Sequence, residues 1–400
     1  MIAHTKNILM LSWEYPPHIV GGLARHVHAL SLELSKLDNE IHVVTAKPSN
    51  SSDYEKQEGI HIHRVAPLNE EDPDFLAWIG GLNLAIIEES LSISRHISFD
   101  VVHTHDWLTG PAGGFLSKML GIPLIATIHG TEFGRNKGVF TNLQQFVFSK
   151  EKELCRSAEE IIVCSDFMKD EVLRLLDVTS DRVSVIANGT AIEEVNISKL
   201  VIEELFPFLK DRKVVFSIGR MVKEKGFATI IEAANLLKQE APELSFVIAG
   251  NGPLLETYRR KVWEMGLQDS VQFIGFISEE VRQALLKRAD IAVFASGYEP
   301  FGLAAAEALA AGVPTILSRT GGMQGLIEDG KTGFHMEPGD EKDLAQKILW
   351  IQQNHSLAHH MAKSGQKGIT EKFSWEHNAK ATDTLYSRSI TTFAQKEGIR

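Results

Sequence analysis

Apolar residues in this chain fall into short unbroken runs, separated by polar loops and by stretches of helical spacing. Asn7 to Ser12 is the first run and reads as a buried strand. Leu23, Val27, Leu30, Leu34 and Leu37 then recur at the spacing of one helix face. Ile41 to Thr45, Ile60 to Val65, Val101 to His105, Pro123 to Ile128, Glu160 to Cys164 and Arg182 to Ala187 continue the strand series. The pattern restarts with a strand at Val214 to Ile218 and a helix from Phe227 to Glu240. Strands follow at Leu244 to Ala249, Val271 to Ile274, Ile291 to Ala295 and Thr315 to Ser318. Runs with few polar interruptions suit strands covered on both faces, so the alternation predicts doubly wound α/β domains with parallel sheets. The charged stretch Thr190 to Asp211 reads as a linker with a short helix. After Phe373, Ser374 is a plausible N-cap, and Trp375, Ala379, Thr382 and Tyr386 mark a closing helix.

A length of 400 residues corresponds to about two domains. Two such domains predict a cleft at the carboxyl ends of both sheets. The chain is 44% hydrophobic and 23% charged, which excludes a disordered or coiled-coil protein. Its two cysteines, Cys155 and Cys164, exclude a disulfide framework or thiolate metal site and read as small core residues. No apolar run is expected to reach the about 18–20 residues of a membrane span. Met1 to Leu11 lead into the first strand without the pattern of a secretory signal, so the expected compartment is the cytosol. A net charge of −11 argues against nucleic-acid binding but not against an anionic small molecule, which needs only a few local cations.

Those cations stand beside glycine. Arg220 and Lys225, flanked by Gly219 and Gly226, follow the strand ending at Ile218 and are suited to a diphosphate. A solvated loop is the alternative. Gly21 and Gly22 follow the first strand at a helix start, where backbone can approach an anion closely; a tight turn without ligand is the alternative. Gly250-Asn251-Gly252 follows another strand, but lacks the third glycine and downstream acid of a dinucleotide fingerprint. The most informative run is Glu299 to Pro314. Pro300 and Gly302 open an alanine-rich helix whose first amides, near Gly302 and Leu303, suit a phosphate, while Glu299 and Glu307 suit paired sugar hydroxyls. His103-Thr104-His105-Asp106 hints at a metal, without a recognised zinc spacing. Asp72-Pro73-Asp74 reads as an acidic loop.

The Gly21-Gly22 loop, His129, Arg220 with Lys225, and Glu299 to Glu307 occur in the order and spacing of retaining GT-B glycosyltransferases. The chain most resembles glycosyltransferase family 4, whose clan includes glycogen-synthase-like enzymes, over nearly its whole length. The resemblance implies two Rossmann-like domains facing a deep cleft: residues 1–195 with 373–400 on the acceptor side, and 196–372 on the donor side. It implies transfer of a hexosyl group, with glucose expected, from a nucleotide-diphospho-sugar such as UDP-glucose or ADP-glucose. By the same resemblance Glu307 holds the donor ribose, Glu299 the transferred sugar, and Arg220 and Lys225 the diphosphate. Gly21, Gly22, Gly302 and Leu303 supply backbone, and Gly250, Asn251 and Phe301 complete the donor set. His129 lies by the sugar C6 hydroxyl and the reacting centre. Tyr15 and Asp106 are candidate acceptor contacts. No metal or cofactor is implied. The expected partners are the donor and a carbohydrate or lipid-linked acceptor, with peripheral membrane contact left open. One departure stands out: bacterial glycogen and starch synthases typically carry a lysine two residues before the glycine pair, where this chain has Ile19. A sugar-nucleotide epimerase, a non-catalytic sugar-nucleotide sensor and a nicotinamide dehydrogenase are the rival readings.

Overall fold

The computed structural model describes residues 5–190 and 199–398. The chain divides into two compact units, Met1–Asn188 with Trp375–Arg400, and Gly189–Ser374. The boundary expected between residues 195 and 196 lies outside the described residues.

The first unit holds strands β1 (Asn7–Ser12), β2 (Glu40–Ala46), β3 (Tyr54–Gln57), β4 (Ile60–Val65), β5 (Val101–His105), β6 (Leu124–Ile128), β7 (Glu160–Val163) and β8 (Val183–Val185). They form one sheet in the order β3-β4-β2-β1-β5-β6-β7-β8, and only the β3–β4 pairing is antiparallel. The second unit holds β9 (Lys213–Ile218), β10 (Leu244–Ala249), β11 (Val271–Gly275), β12 (Ile291–Phe294), β13 (Thr315–Ser318) and β14 (Phe334–Met336), parallel throughout in the order β11-β10-β9-β12-β13-β14. Every residue of β5, β6 and β10 is buried, because helices cover both sheet faces. Each fully buried Leu, Ile or Val there contributes roughly 1.5–3 kcal/mol.

In each sheet the connections reverse direction beside the first strand of the unit. β1 lies between β2 and β5, and β9 lies between β10 and β12. At such a point neighbouring loops splay apart and open a crevice at the carboxyl ends of the strands. The loops after β1 and β5, and those after β9 and β12, are therefore where each unit can bind a ligand.

Two sequence expectations change. The helix Phe75–Ser94 is long and apolar enough, by length and composition, to cross a membrane, contrary to the expectation that no run would be. Asn83, Glu88 and Glu89 break its apolar run in sequence. In the structure it packs on the helix Gly110–Leu120 and on β2 and β4, burying Ile79, Leu82 and Ile86. The Asp72-Pro73-Asp74 loop is its cap: Asp74 Oδ1 accepts the Leu76 and Ala77 amides at 2.8 and 3.1 Å. Cys155 and Cys164 are buried thiols, not joined in a disulfide.

The helix Trp375–Glu397 packs on the helix Gly22–Ser35 of the first unit. Ala379, Thr382, Leu385 and Tyr386 are buried, and the Tyr386 hydroxyl lies 2.6 Å from His103 Nδ1. Asp383 accepts from Lys6 Nζ and from Asn39 Nδ2, both at 2.8 Å, and Asn378 Nδ2 donates to the Ala187 carbonyl at 2.7 Å.

Candidate functional site

In the second unit three loops meet backbone to backbone. Gly226 (φ +70°) ends the loop after β9, and a Cβ there would sit 1.9 Å from the Ala295 carbonyl oxygen. Gly250 (φ +125°) brings the loop after β10 so close that a Cβ would meet the Gly219 oxygen at 2.0 Å. Only glycine fits either position. The approach is sealed by the Gly297 amide donating to Glu224 O at 2.7 Å and the Met221 amide donating to Asn251 O at 2.8 Å.

This packing brings two of the expected donor-side residues together: Lys225 Nζ lies 2.6 Å from Glu299 Oε2, which also accepts from Ser296 Oγ at 3.3 Å. The Glu299 carbonyl accepts the Gly322 amide at 2.8 Å, which fixes the residue through its backbone as well. An ammonium carries three N–H donors, so Lys225 keeps donors for a second anion while paired. Arg220 lies exposed in the same loop, with no side-chain ion partner among the described residues. Gly302 (φ +97°) starts the helix Leu303–Ala310, whose first amides have no acceptor within the helix. The loop after β9 thus carries two cations, one of them paired across to Glu299 beside the helix start that follows β12.

Glu307 is held by a residue the sequence reading missed. Arg282, buried in the helix Glu279–Arg288, donates to both Glu307 and Glu279. Burial opposes its charge, but the two carboxylates hold the guanidinium above its ordinary value. Phe301, expected in the donor set, is buried with its ring edge-on to Phe373 at 5.5 Å, so its side chain serves the core. Gly250 and Asn251 shape the loop through their backbones, while the Asn251 side chain is exposed.

In the first unit the glycine loop is organised by another missed residue. Glu14 is buried, and its Oε2 accepts the amides of Val20 and of Gly21, the latter at 3.1 Å. Burial pushes its carboxyl up while those amides pull it down. Gly21 caps the helix that begins at Gly22. Tyr15, expected to touch an acceptor, points the other way. Its ring is in the core, its hydroxyl lies 3.2 Å from Ser31 Oγ, and burial pushes its pKa up to about 12.

Asp106, also expected on the acceptor side, is buried after β5 and accepts the His129 amide through Oδ1 at 2.7 Å; burial pushes its pKa up to about 6. It positions the turn that carries His129. That ring lies 3.2 Å from His105 Nδ1 through Nε2 and is edge-on to His26 at 4.6 Å. Burial, followed by the charge of Arg135, lowers its pKa to about 3, so it is neutral at physiological pH. His26, His105 and His129 could offer three nitrogens within 4.8 Å of one another to a metal. His103 could not: its nitrogens engage Tyr386 and Thr127 Oγ1.

Behind this turn Glu151 accepts the Glu132 amide at 2.8 Å, and burial pushes its pKa from 4.5 to about 8. Between those values the folded chain holds a proton that the unfolded chain releases. The stabilisation is complete below 4.5 and is lost as the pH rises through about 8. Glu151→Gln should flatten that loss, which urea-unfolding midpoints between about pH 5 and pH 9 would report. An unchanged pH slope would show that Glu151 does not carry the proton.

A family model described as Glycosyl transferases group 1 matches residues 202–368, and one described as Glycosyltransferase Family 4 matches residues 20–194. The chain is 31% identical over 387 residues to an uncharacterized glycosyltransferase of Methanocaldococcus jannaschii, covering 95% of this chain and 97% of that protein. It is 32% identical over 399 residues to a glycogen synthase of Mycobacterium tuberculosis, covering 95% and 94%. Among solved structures, sucrose-phosphate synthase from Thermosynechococcus elongatus shares the fold with a TM-score of 0.85 at 23% identity, covering 97% of this chain and 100% of that one.

Proposed function

This chain belongs to glycosyltransferase family 4 and has the GT-B fold, and from that premise we propose that it is a retaining, metal-independent hexosyltransferase. Its donor is a nucleotide-diphospho-sugar, with glucose the expected sugar. Its acceptor is the hydroxyl of a carbohydrate or lipid-linked molecule, in polysaccharide or glycoconjugate synthesis. The two buried cysteine thiols suit a reducing compartment such as the cytosol.

The observation that carries the reading is the Lys225–Glu299 pair beside exposed Arg220 at the switch point of the second sheet. Breaking the anomeric C–O bond leaves negative charge on the departing diphosphate. Lys225, Arg220 and the amides at the start of the helix Leu303–Ala310 are preorganised for that charge and supply electrostatic stabilisation without a metal. Glu299 is assigned to the transferred sugar and Glu307 to the ribose, oriented by Arg282. Front-face attack by the acceptor hydroxyl then lets a donor phosphate oxygen take its proton, so no protein nucleophile is needed. A histidine held neutral down to about pH 3 suits His129 to hydrogen bonding with the sugar and not to proton donation as an imidazolium. Glu14 holds the Gly21-Gly22 loop ready to offer backbone amides.

A screen of UDP-, ADP- and GDP-sugars, read by nucleoside diphosphate release with EDTA present, tests this. Release with one base, unchanged by EDTA, and a product with the donor's anomeric configuration are expected. A strict metal requirement, an inverted product, or no turnover with any donor would each reject the corresponding part of the proposal.

A further inference from the structure

At the opposite ends of the first sheet's strands from the glycine loop, the starts of β2 and β4 carry a row of imidazoles. His42 pairs in register with His61, and their rings stack at 4.4 Å. Three contacts link two carboxylates through two histidines. His42 Nε2 lies 3.3 Å from Glu40 Oε1, His42 Nδ1 lies 3.1 Å from His63 Nε2, and His63 Nδ1 lies 3.1 Å from Glu89 Oε1. Two neutral imidazoles bring two N–H protons to these three contacts. Whichever tautomers they adopt, one contact is left without a proton.

If that gap fell between the two rings, two lone pairs would oppose each other. If it falls at an end, a lone pair faces a carboxylate, which a cation resolves. The two ends differ. At the Glu40 end a further nitrogen, His61 Nε2, lies 3.7 Å from the same Glu40 oxygen, while His61 Nδ1 is engaged by the Tyr54 hydroxyl at 2.9 Å. The candidate ligand atoms of Glu40, His42 and His61 all lie within 4.8 Å of one another.

We propose that Glu40, His42 and His61 form a binding site for a divalent transition-metal ion of the zinc type. Two imidazoles and one carboxylate are borderline nitrogen and oxygen donors, which suit zinc better than magnesium or calcium. The outer contacts complete the design. With Glu89 accepting from His63 and His63 from His42, the His42 Nε2 lone pair is turned toward Glu40, and Tyr54 orients His61. Coordination turns the His61 ring out of its 14° stack, because two parallel rings cannot aim their lone pairs at one ion. A depression of about 290 Å³ beside these rings, lined also by His96, leaves room for a water ligand. The ion would staple β2 to β4, and through Tyr54 to β3, away from the transfer chemistry.

The test titrates Zn²⁺ into the chelator-treated full chain, followed by calorimetry and thermal unfolding, with Co²⁺ as a spectroscopic probe. One equivalent is expected to bind, and Zn²⁺ at about 100 times its dissociation constant raises the melting temperature by on the order of 5 °C. Bound Co²⁺ should show tetrahedral d–d absorption. All three signals should vanish in His61→Ala and in Glu40→Gln, two variants that leave glycosyl transfer unchanged, and should persist in His26→Ala. No saturable uptake would overturn the proposal. So would uptake abolished by His26→Ala and kept by His61→Ala, which places the ion at His26, His105 and His129. Proton uptake in place of zinc, lost with His61→Ala, would likewise overturn it.

Discussion

Lys225→Ala is expected to lower glycosyl transfer by about 100-fold or more, equivalent to roughly 2.7 kcal/mol of transition-state stabilisation. The loss has two sources. One is a cation preorganised for the diphosphate. The other is Glu299, which would keep only the Ser296 hydroxyl among the side-chain partners described above. A double-mutant cycle with Glu299→Ala separates them. If Lys225 served only to neutralise Glu299, the double variant would recover part of the activity. If Lys225 meets the diphosphate, the defect persists when Glu299 is gone. Near-wild-type turnover in Lys225→Ala would reject the diphosphate role.

Arg282→Ala is expected to cost about 3–5 kcal/mol, because it leaves Glu307 in a mostly buried position without the guanidinium that neutralises it. The urea midpoint of the second unit, followed through Trp263 or Trp350, measures this. Arg282→Ala combined with Glu307→Gln should recover a large part of the loss, since the carboxylate that the guanidinium neutralised is then uncharged as well. The Michaelis constant for the donor should rise in both variants if Glu307 meets the ribose. An unchanged unfolding midpoint in Arg282→Ala would show that the buried pair carries no stability.

Strands were the most readable elements because they are buried on both faces. β1, β4, β5, β10 and β13 match their expected runs to the residue. β3 was invisible for the opposite reason: Tyr54–Gln57 is a mostly exposed edge strand whose polar sequence shows no period. The cations and carboxylates of the second unit were readable because each sits beside a glycine or helix start that sequence can locate. Glu14 and Arg282 were not, since their importance comes from what they touch. A carboxylate one residue from Tyr15 gives no sign that it will bond amides six and seven residues on. An arginine on a charged helix gives no sign that Glu307, 25 residues away, will close over it. Tyr15 shows the converse error, since an aromatic in a glycine-bearing loop after a strand can still turn inward.

The helix Trp375–Glu397 has a consequence for the order in which the protein can be made. It supplies Ala379, Leu385 and Tyr386 to the core of the first unit, and Asp383 ties down both Lys6 and Asn39. A ribosome finishes residues up to Asn188 well before it reaches Trp375. The first unit to be synthesised is therefore the last that can be completed, while Gly189–Ser374 can close on its own beforehand. Until the helix Trp375–Glu397 has been made, the helix Gly22–Ser35 waits with one apolar face uncovered. For this fold, translation order and folding order run in opposite directions.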